Sequence, residues 1–240
     1  MTSTPIEVSD LHAWYGESHV LQGVSFNAHS GEVITILGRN GAGKTTTLRS
    51  IMGMLPQRQG SIRIHGQESI ALADYRIARL GIGYCPEERA IFRSLSVREN
   101  LMLPPRVGAS ALSVEDILAL FPNLQERWTS GGGNLSGGEQ QMLAIGRILR
   151  TGASLILLDE PTEGLAPVIV QQIGAAIRAL KERGLTIILV EQNFRFAMTV
   201  ADRHYVMENG QVVDQLTNTE ARQHTERLRQ VLGRIRGNRQ

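Results

Sequence analysis

Glu32-Val33-Ile34-Thr35-Ile36-Leu37 runs straight into Gly38-Arg39-Asn40-Gly41-Ala42-Gly43-Lys44-Thr45. The first six residues read as a buried strand. Thr46 to Met54 reads as the helix that leaves the glycine loop. A Gly-x-x-x-x-Gly-Lys-Thr string between a strand and a helix has the context needed to hold phosphate. Its glycines let backbone N–H groups converge on phosphate oxygens without a Cβ in the way. Lys44 adds a point charge, the Thr45 hydroxyl suits Mg2+, and the helix N-terminus contributes its dipole.

The pattern extends outward from that loop. Leu155 to Leu158 is wholly apolar, as a central parallel strand covered on both faces should be. It ends in Asp159-Glu160. Carboxylates at the C-terminal tip of a central strand face the same crevice as the phosphate loop. Asp159 is therefore read as the Mg2+ partner, and Glu160 as the group that orients or deprotonates an attacking water. Apolar residues at Ile169, Ile173, Ala176, Ile177 and Leu180 mark one helix face, closed by Gly184. Thr186 to Val190 is another apolar strand, and Ser61 to His65 alternates like a half-buried one. Tyr205 to Val213 reads as a hairpin turning at Asn209-Gly210. Strands alternating with helices predict a three-layer α/β core.

Ser136-Gly137-Gly138-Glu139 opens a second helix. Ser136 sits at the N-cap position with Glu139 three residues on, a capping box. Glycines in the first turn make this helix start a second potential anion site. Between the two motifs, about Glu88 to Asn134, lie Pro104-Pro105, a helical pattern from Ser113 to Phe121, Pro122 and Gly131-Gly132-Gly133. That stretch reads as a mostly helical insertion.

The chain has 240 residues, 42% hydrophobic and 20% charged, with a formal net charge of +2. These values suit an ordinary globular protein of one large domain. No apolar run approaches the ~20 residues that span a bilayer, and the start from Met1 to Glu7 lacks the pattern of a secretory signal. The expected location is cytosolic, or peripheral on the cytosolic side. Cys85 is the one cysteine, so no intrachain disulfide forms, and it reads as a packing residue. Arg222, Arg227, Arg229, Arg234, Arg236 and Arg239 gather near the end. They read as a solvated basic helix at about 219–232, with contact to a partner or anionic headgroups as the other reading.

Leu135-Ser136-Gly137-Gly138-Glu139-Gln140-Gln141, some twenty residues before an apolar-Asp-Glu strand and downstream of a phosphate loop, resembles the signature of ATP-binding cassette (ABC) ATPases. The resemblance spans nearly the whole chain. It implies a P-loop NTPase core of ABC type with an antiparallel β subdomain and an inserted α-helical subdomain at about 88–134, all in a single domain over 1–240. It implies ATP and Mg2+ as the bound species. Gly38, Arg39, Asn40, Gly41, Ala42, Gly43, Lys44, Thr45 and Thr46 match the Walker A loop, and Leu155 to Glu160 match Walker B. Tyr15 resembles the aromatic that stacks on adenine, with Val20 nearby. The resemblance further implies a head-to-tail dimer in which Ser136, Gly137 and Gly138 meet the γ-phosphate bound to the other subunit.

Pro86-Glu87-Glu88-Arg89, the string from Asp159 to Pro167, and Val190-Glu191-Gln192-Asn193 resemble one subgroup, the ATP-binding subunits of bacterial branched-chain amino acid importers. Closely similar subunits serve urea and short-chain amide importers, and an ABC ATPase that acts without a membrane partner is the further alternative. The implied partners are two integral membrane permeases, docking near the helical insertion with Arg89 to Arg93 as a contact, and a second homologous ATPase or a second copy of this chain. A periplasmic solute-binding protein is implied indirectly, and no nucleic acid. The implied location is the cytoplasmic face of the bacterial inner membrane. Three positions depart from the common cassette pattern. Glu87 stands where most cassettes have glutamine, and is kept as an Mg2+ ligand with Thr45 and Asp159. Ala166 replaces an aspartate. Gln192 replaces a switch histidine; it hydrogen-bonds phosphate but exchanges no proton near neutral pH. Glu160, Gln192 and Lys44 are therefore the expected catalytic group.

Overall fold

The computed structural model of the protein describes residues 3–223. Its centre is a six-stranded sheet in the order β10-β9-β3-β8-β7-β6, formed by β3 (Val33–Gly38), β6 (Ile82–Cys85), β7 (Leu155–Asp159), β8 (Thr186–Glu191), β9 (Arg203–Glu208) and β10 (Gln211–Thr217). The pairs β6–β7, β7–β8, β8–β3 and β3–β9 are parallel, and β9–β10 is the antiparallel hairpin turning at Asn209-Gly210.

The apolar runs of β7 and β8 are explained by two-sided burial. Side chains alternate across a strand. Ile156, Leu158, Ile187 and Leu189 point to a core shared with helices α6 (Gly137–Thr151) and α7 (Pro167–Glu182). Leu155, Leu157, Ile188 and Val190 point to the opposite core. That second core is closed by an antiparallel sheet in the order β2-β1-β4-β5: β1 (Ile6–Tyr15), β2 (Ser18–Ala28), β4 (Gln57–Ile64) and β5 (Gln67–Glu68). Helix α1 (Lys44–Ile51) sends Leu48 and Ile51 into the same core. Along α7 the buried residues are Ile173, Gly174, Ala176, Ile177 and Leu180, and Ile169, the first residue of the predicted stripe, is half-buried against the same core. Each large aliphatic side chain buried there contributes roughly 2 kcal/mol.

Several boundaries move. The helix predicted over Thr46–Met54 begins at Lys44 and ends at Ile51, because Gly53 turns left-handed at φ 75° and the Met54 N–H reaches back to the Arg49 carbonyl. The strand predicted from Ser61 to His65 begins earlier, at Gln57, and pairs with β1. The stretch 88–134, expected to be mostly helical, holds only α3 (Val97–Met102), α4 (Val114–Leu120), α5 (Asn123–Glu126) and a 3-10 turn over Gly132–Asn134; the rest is loop. Capping boxes at Ser96/Glu99 and Ser113/Asp116 start α3 and α4. The remaining helices are α2 (Asp74–Ala78), α8 (Phe194–Val200) and α9 (Asn218–Gln223). Of the basic helix expected at about 219–232, α9 covers the start; the rest lies outside the described residues. Among the described residues, no helix is long and apolar enough to cross a membrane.

Candidate nucleotide site

The glycine loop leaves β3 and delivers Lys44 as the first residue of α1. Gly43 takes φ 103°, where an L side chain is strained, and a Cβ there would lie 2.8 Å from Leu21 Cδ2 and have to displace it. The Lys44 ammonium, only 4% exposed, lies 3.1 Å from Glu160 Oε1 and 3.1 Å from the Arg39 carbonyl. Thr45 Oγ1 donates to Asp159 Oδ1 at 3.0 Å. β3 and β7 are thus brought together at their C-terminal ends, with β8 between them.

Glu160 is held in an uncommon conformation, φ 44°, and its N–H is bonded to the Val190 carbonyl at 3.0 Å. Non-glycine residues in that region are strained by roughly 1–3 kcal/mol and persist only where neighbours over-determine them. Glu160 Oε2 accepts from Gln192 Nε2 at 2.7 Å, and the same amide nitrogen bonds Asn40 Oδ1. Lys44, Asn40, Glu160 and Gln192 therefore form one connected group drawn from three segments of the chain.

Around this group carboxylates crowd. Burial pushes the Asp159 carboxyl upward, against the bonds from Thr45 and Tyr84, while Glu160 and Glu87 add like charge. Tyr84, on β6, donates its hydroxyl to Asp159 Oδ2 at 3.0 Å; burial and the neighbouring Asp159 push its own pKa upward. Glu163 is raised first by sharing a hydrogen bond with Glu160, then by burial and by Glu87. Glu191, at the end of β8, is 2% exposed and is pushed up to about 7 by burial.

Thr45, Asp159 and Glu87 offer hard oxygen donors, the set that suits Mg2+. The direct Thr45–Asp159 contact and the influence of Glu87 on Asp159 place these donors in one neighbourhood, so the residues fit that cation. Among the described residues, no three or more His, Cys, Asp or Glu side chains form a metal cage. Mg2+ ordinarily relies on one or two protein oxygens plus phosphate and water.

Tyr15 ends β1, is 44% exposed, and lies close enough to Arg49 of α1 to raise its guanidinium pKa. Val20, on β2, packs against the core between the two sheets. Gly38, Gly41, Ala42 and Thr46 complete the loop and the first turn of α1, with the Ala42 N–H bonded to the Arg39 carbonyl at 3.1 Å. Ser136 caps α6 as predicted: its Oγ accepts from the Glu139 N–H, and its own N–H donates to Glu139 Oε2 at 2.7 Å. Gly137 faces Arg89 and Leu165, and Gly138 faces Ile169. The polar contacts of Ser136 are with its own cap, not with the Lys44 group.

The roles of several participants escaped the sequence reading. Tyr84 lies in an apolar strand and looks like packing. Thr162 and Glu163 sit in a loop whose proximity to Glu191 and Glu160 depends on how β7 and β8 pair. For Glu191, the signals were a charged residue ending an apolar run and its place in the Val190 to Asn193 string, neither of which names its partners.

The ABC transporter family model matches residues 21–163. The high-affinity branched-chain amino acid transport ATP-binding protein BraG of Pseudomonas aeruginosa is 44% identical over 206 residues, covering 85% of this chain and 88% of that one. The lipopolysaccharide export system ATP-binding protein LptB of Escherichia coli is 37% identical over 234 residues, covering 95% and 97%. Among solved structures, a nucleotide-free ATP-binding cassette from an ABC transporter superposes with TM-score 0.84 at 24% identity, over 98% of this chain and 100% of that one. The chain belongs to the ABC transporter family and is an ATP-binding cassette ATPase coupled to transport.

Proposed function

We propose that this chain is the ATP-hydrolysing motor subunit of a bacterial ABC importer for branched-chain amino acids. The observation that carries the catalytic part is the convergence of Lys44, Thr45, Asp159, Glu160 and Gln192. The likeness to BraG supports the solute.

In this reading the loop from Gly38 to Thr46 cradles the phosphates, and Lys44 neutralises charge on the β- and γ-groups. Tyr15 and Val20 flank the adenine. Thr45, Asp159 and Glu87 hold Mg2+, which neutralises charge on the phosphates when bound. Glu160 orients and deprotonates the attacking water. Gln192, already bonded to Glu160, holds the γ-phosphate side of the site by hydrogen bonding alone. Ser136, Gly137 and Gly138 serve the nucleotide of a facing subunit, either a second copy or a homologous ATPase. That assignment is supported by an exposed Ser136 that closes its cap within its own helix, with a glycine first turn behind it.

The chain is read as a single cassette domain with its helical insertion at 88–134, peripheral on the cytoplasmic face of the inner membrane. Two permeases dock beside the insertion, and a periplasmic solute-binding protein acts through them; no nucleic acid takes part. An apolar groove of about 370 Å3 supports that docking. It runs between β6, α6 and the Pro104–Val107 segment, and Phe92, Met102 and Leu103 are exposed large apolar residues of the same insertion. Such a patch beside a groove marks an interaction surface.

The test is ATP hydrolysis by the reconstituted complex against a panel of loaded binding proteins. Stimulation by a leucine-loaded protein supports the reading. Stimulation by a urea- or amide-loaded protein alone would move the solute to that class. The likeness to LptB favours one second reading, a lipopolysaccharide exporter motor; stimulation by lipopolysaccharide and by no binding protein would establish it instead.

A further inference from the structure

We infer that Glu191 is a positioning residue for ATP hydrolysis, tying the turn that follows Glu160 to the loop that carries Gln192. The inference rests on the proposed roles of Glu160 and Gln192. Glu191 ends β8 and is buried, and its hydrogen bonds among the described residues go to Thr162 and to the Gln192 and Asn193 backbone rather than to the proposed metal donors. Its two oxygens serve two different segments. Thr162 Oγ1 donates to Oε1 at 2.6 Å, and the Asn193 N–H donates to Oε2 at 3.1 Å. Thr162 lies two residues after Glu160, and Asn193 directly follows Gln192. Asn193 also caps α8, accepting from the Phe196 N–H. One carboxylate thus fixes both chain segments from which Glu160 and Gln192 meet.

A buried carboxylate is an expensive way to join two loops, because an apolar pair would pack there without a desolvation cost; here it draws on the Thr162 hydroxyl and on the backbone N–H groups of Gln192 and Asn193. The ionised form accepts both bonds at once. The protonated form has a hydrogen on one oxygen and holds the two segments less firmly. Glu160 is the charged group that faces it, from the end of β7, and its like charge pushes Glu191 up after burial does. Lys44, from α1, is ion-paired to that Glu160. β3 brings Leu37 alongside, and α8 its own Asn193.

With Glu191 titrating near 7, the ionised fraction rises about ten-fold from pH 6 to pH 8, and the turnover it supports rises with it. The Glu191→Gln variant stands for the neutral form at every pH: its amide oxygen still accepts from Asn193, but its amide nitrogen cannot accept the Thr162 hydroxyl, and it does not titrate.

The experiment measures kcat and KM for ATP across pH 6 to 8 on the full chain and on Glu191→Gln, Glu191→Ala and Thr162→Val. Expected are a rising limb in the unmodified protein and a profile flat to within about two-fold in Glu191→Gln. Glu191→Ala and Thr162→Val should lose kcat with KM for ATP unchanged, and Glu191→Gln should show at pH 8 the lower turnover that the unmodified protein has near pH 6. Thr162→Val conserves volume, so it reports on the tie even where Glu191→Ala unfolds. A pH limb that persists in Glu191→Gln overturns the inference, as does a Thr162→Val protein with unchanged kcat. Glu160→Gln is run in parallel: if it hydrolyses ATP normally, the proposed site itself is wrong, whatever Glu191 does.

Discussion

Replacing Glu191 with glutamine should stabilise the protein by an amount that grows with pH. In the folded chain burial raises this carboxyl from the ordinary 4.5 to about 7. Its folded value is thus above its unfolded value. Stability associated with the group is fully present below 4.5 and is lost as pH rises through about 7, because the unfolded chain ionises freely while the folded chain resists. Linkage over these two values gives a loss of about 1 kcal/mol at pH 5 and about 3 kcal/mol at pH 8. Glutamine keeps the shape of the neutral carboxyl but has no proton to lose. Relative to the unmodified protein, Glu191→Gln should therefore gain about 2 kcal/mol between pH 5 and pH 8. Urea denaturation of both proteins at the two pH values measures this, and the comparison cancels every other titrating group. A difference in unfolding free energy that stays constant with pH, or that moves against the variant as pH rises, would refute the reasoning.

Ala166 occupies the N-cap of α7, with Pro167 at the first helical position and no side-chain cap. Ala166→Asp should add about 1 kcal/mol, read as a rise of roughly 2–4 °C in melting temperature. Arg203, 15% exposed, is paired with Glu32 and also bonds Asn27 and Tyr205. Arg203→Ala should cost about 3 kcal/mol in chemical denaturation, since Glu32 is left partly buried without its cation. Thr45→Val removes the hydroxyl that meets Asp159 while keeping side-chain volume. It should weaken Mg2+ binding, seen as a raised Mg2+ concentration for half-maximal ATP hydrolysis, with little change in melting temperature.

The parts of the fold that could be read directly were those where one period or one spacing decides the element. β7 and β8 are apolar on both faces, so their runs are continuous. The α7 stripe repeats at helical spacing, and Asn209-Gly210 marks its hairpin. The β1–β2 sheet was hidden for a physical reason. In β1 the buried residues are Ile6 and Val8, then Leu11 and Ala13, because an irregularity at Asp10, with φ 49°, shifts the register by one residue. A period-2 pattern broken at its middle does not read as one strand.

The site divides in the same way. Lys44, Thr45, Asp159 and Glu160 carry their chemistry in their spacing. Tyr84 meets Asp159 across 75 residues of chain, and Thr162 meets Glu191 across 29. Those contacts exist only once β6, β7 and β8 are laid side by side. At Gln192 the amide bridges Asn40 and Glu160, which suits the positioning role proposed for it.

The central claim is that Glu160 is the general base while Gln192 positions. ATP turnover of Glu160→Gln and Gln192→Ala, each with ATP binding measured alongside, tests it most directly. The account predicts that Glu160→Gln loses turnover by at least about a hundred-fold while still binding ATP, and that Gln192→Ala is impaired but active. Glu160→Gln turning over ATP normally while Gln192→Ala is dead would contradict it.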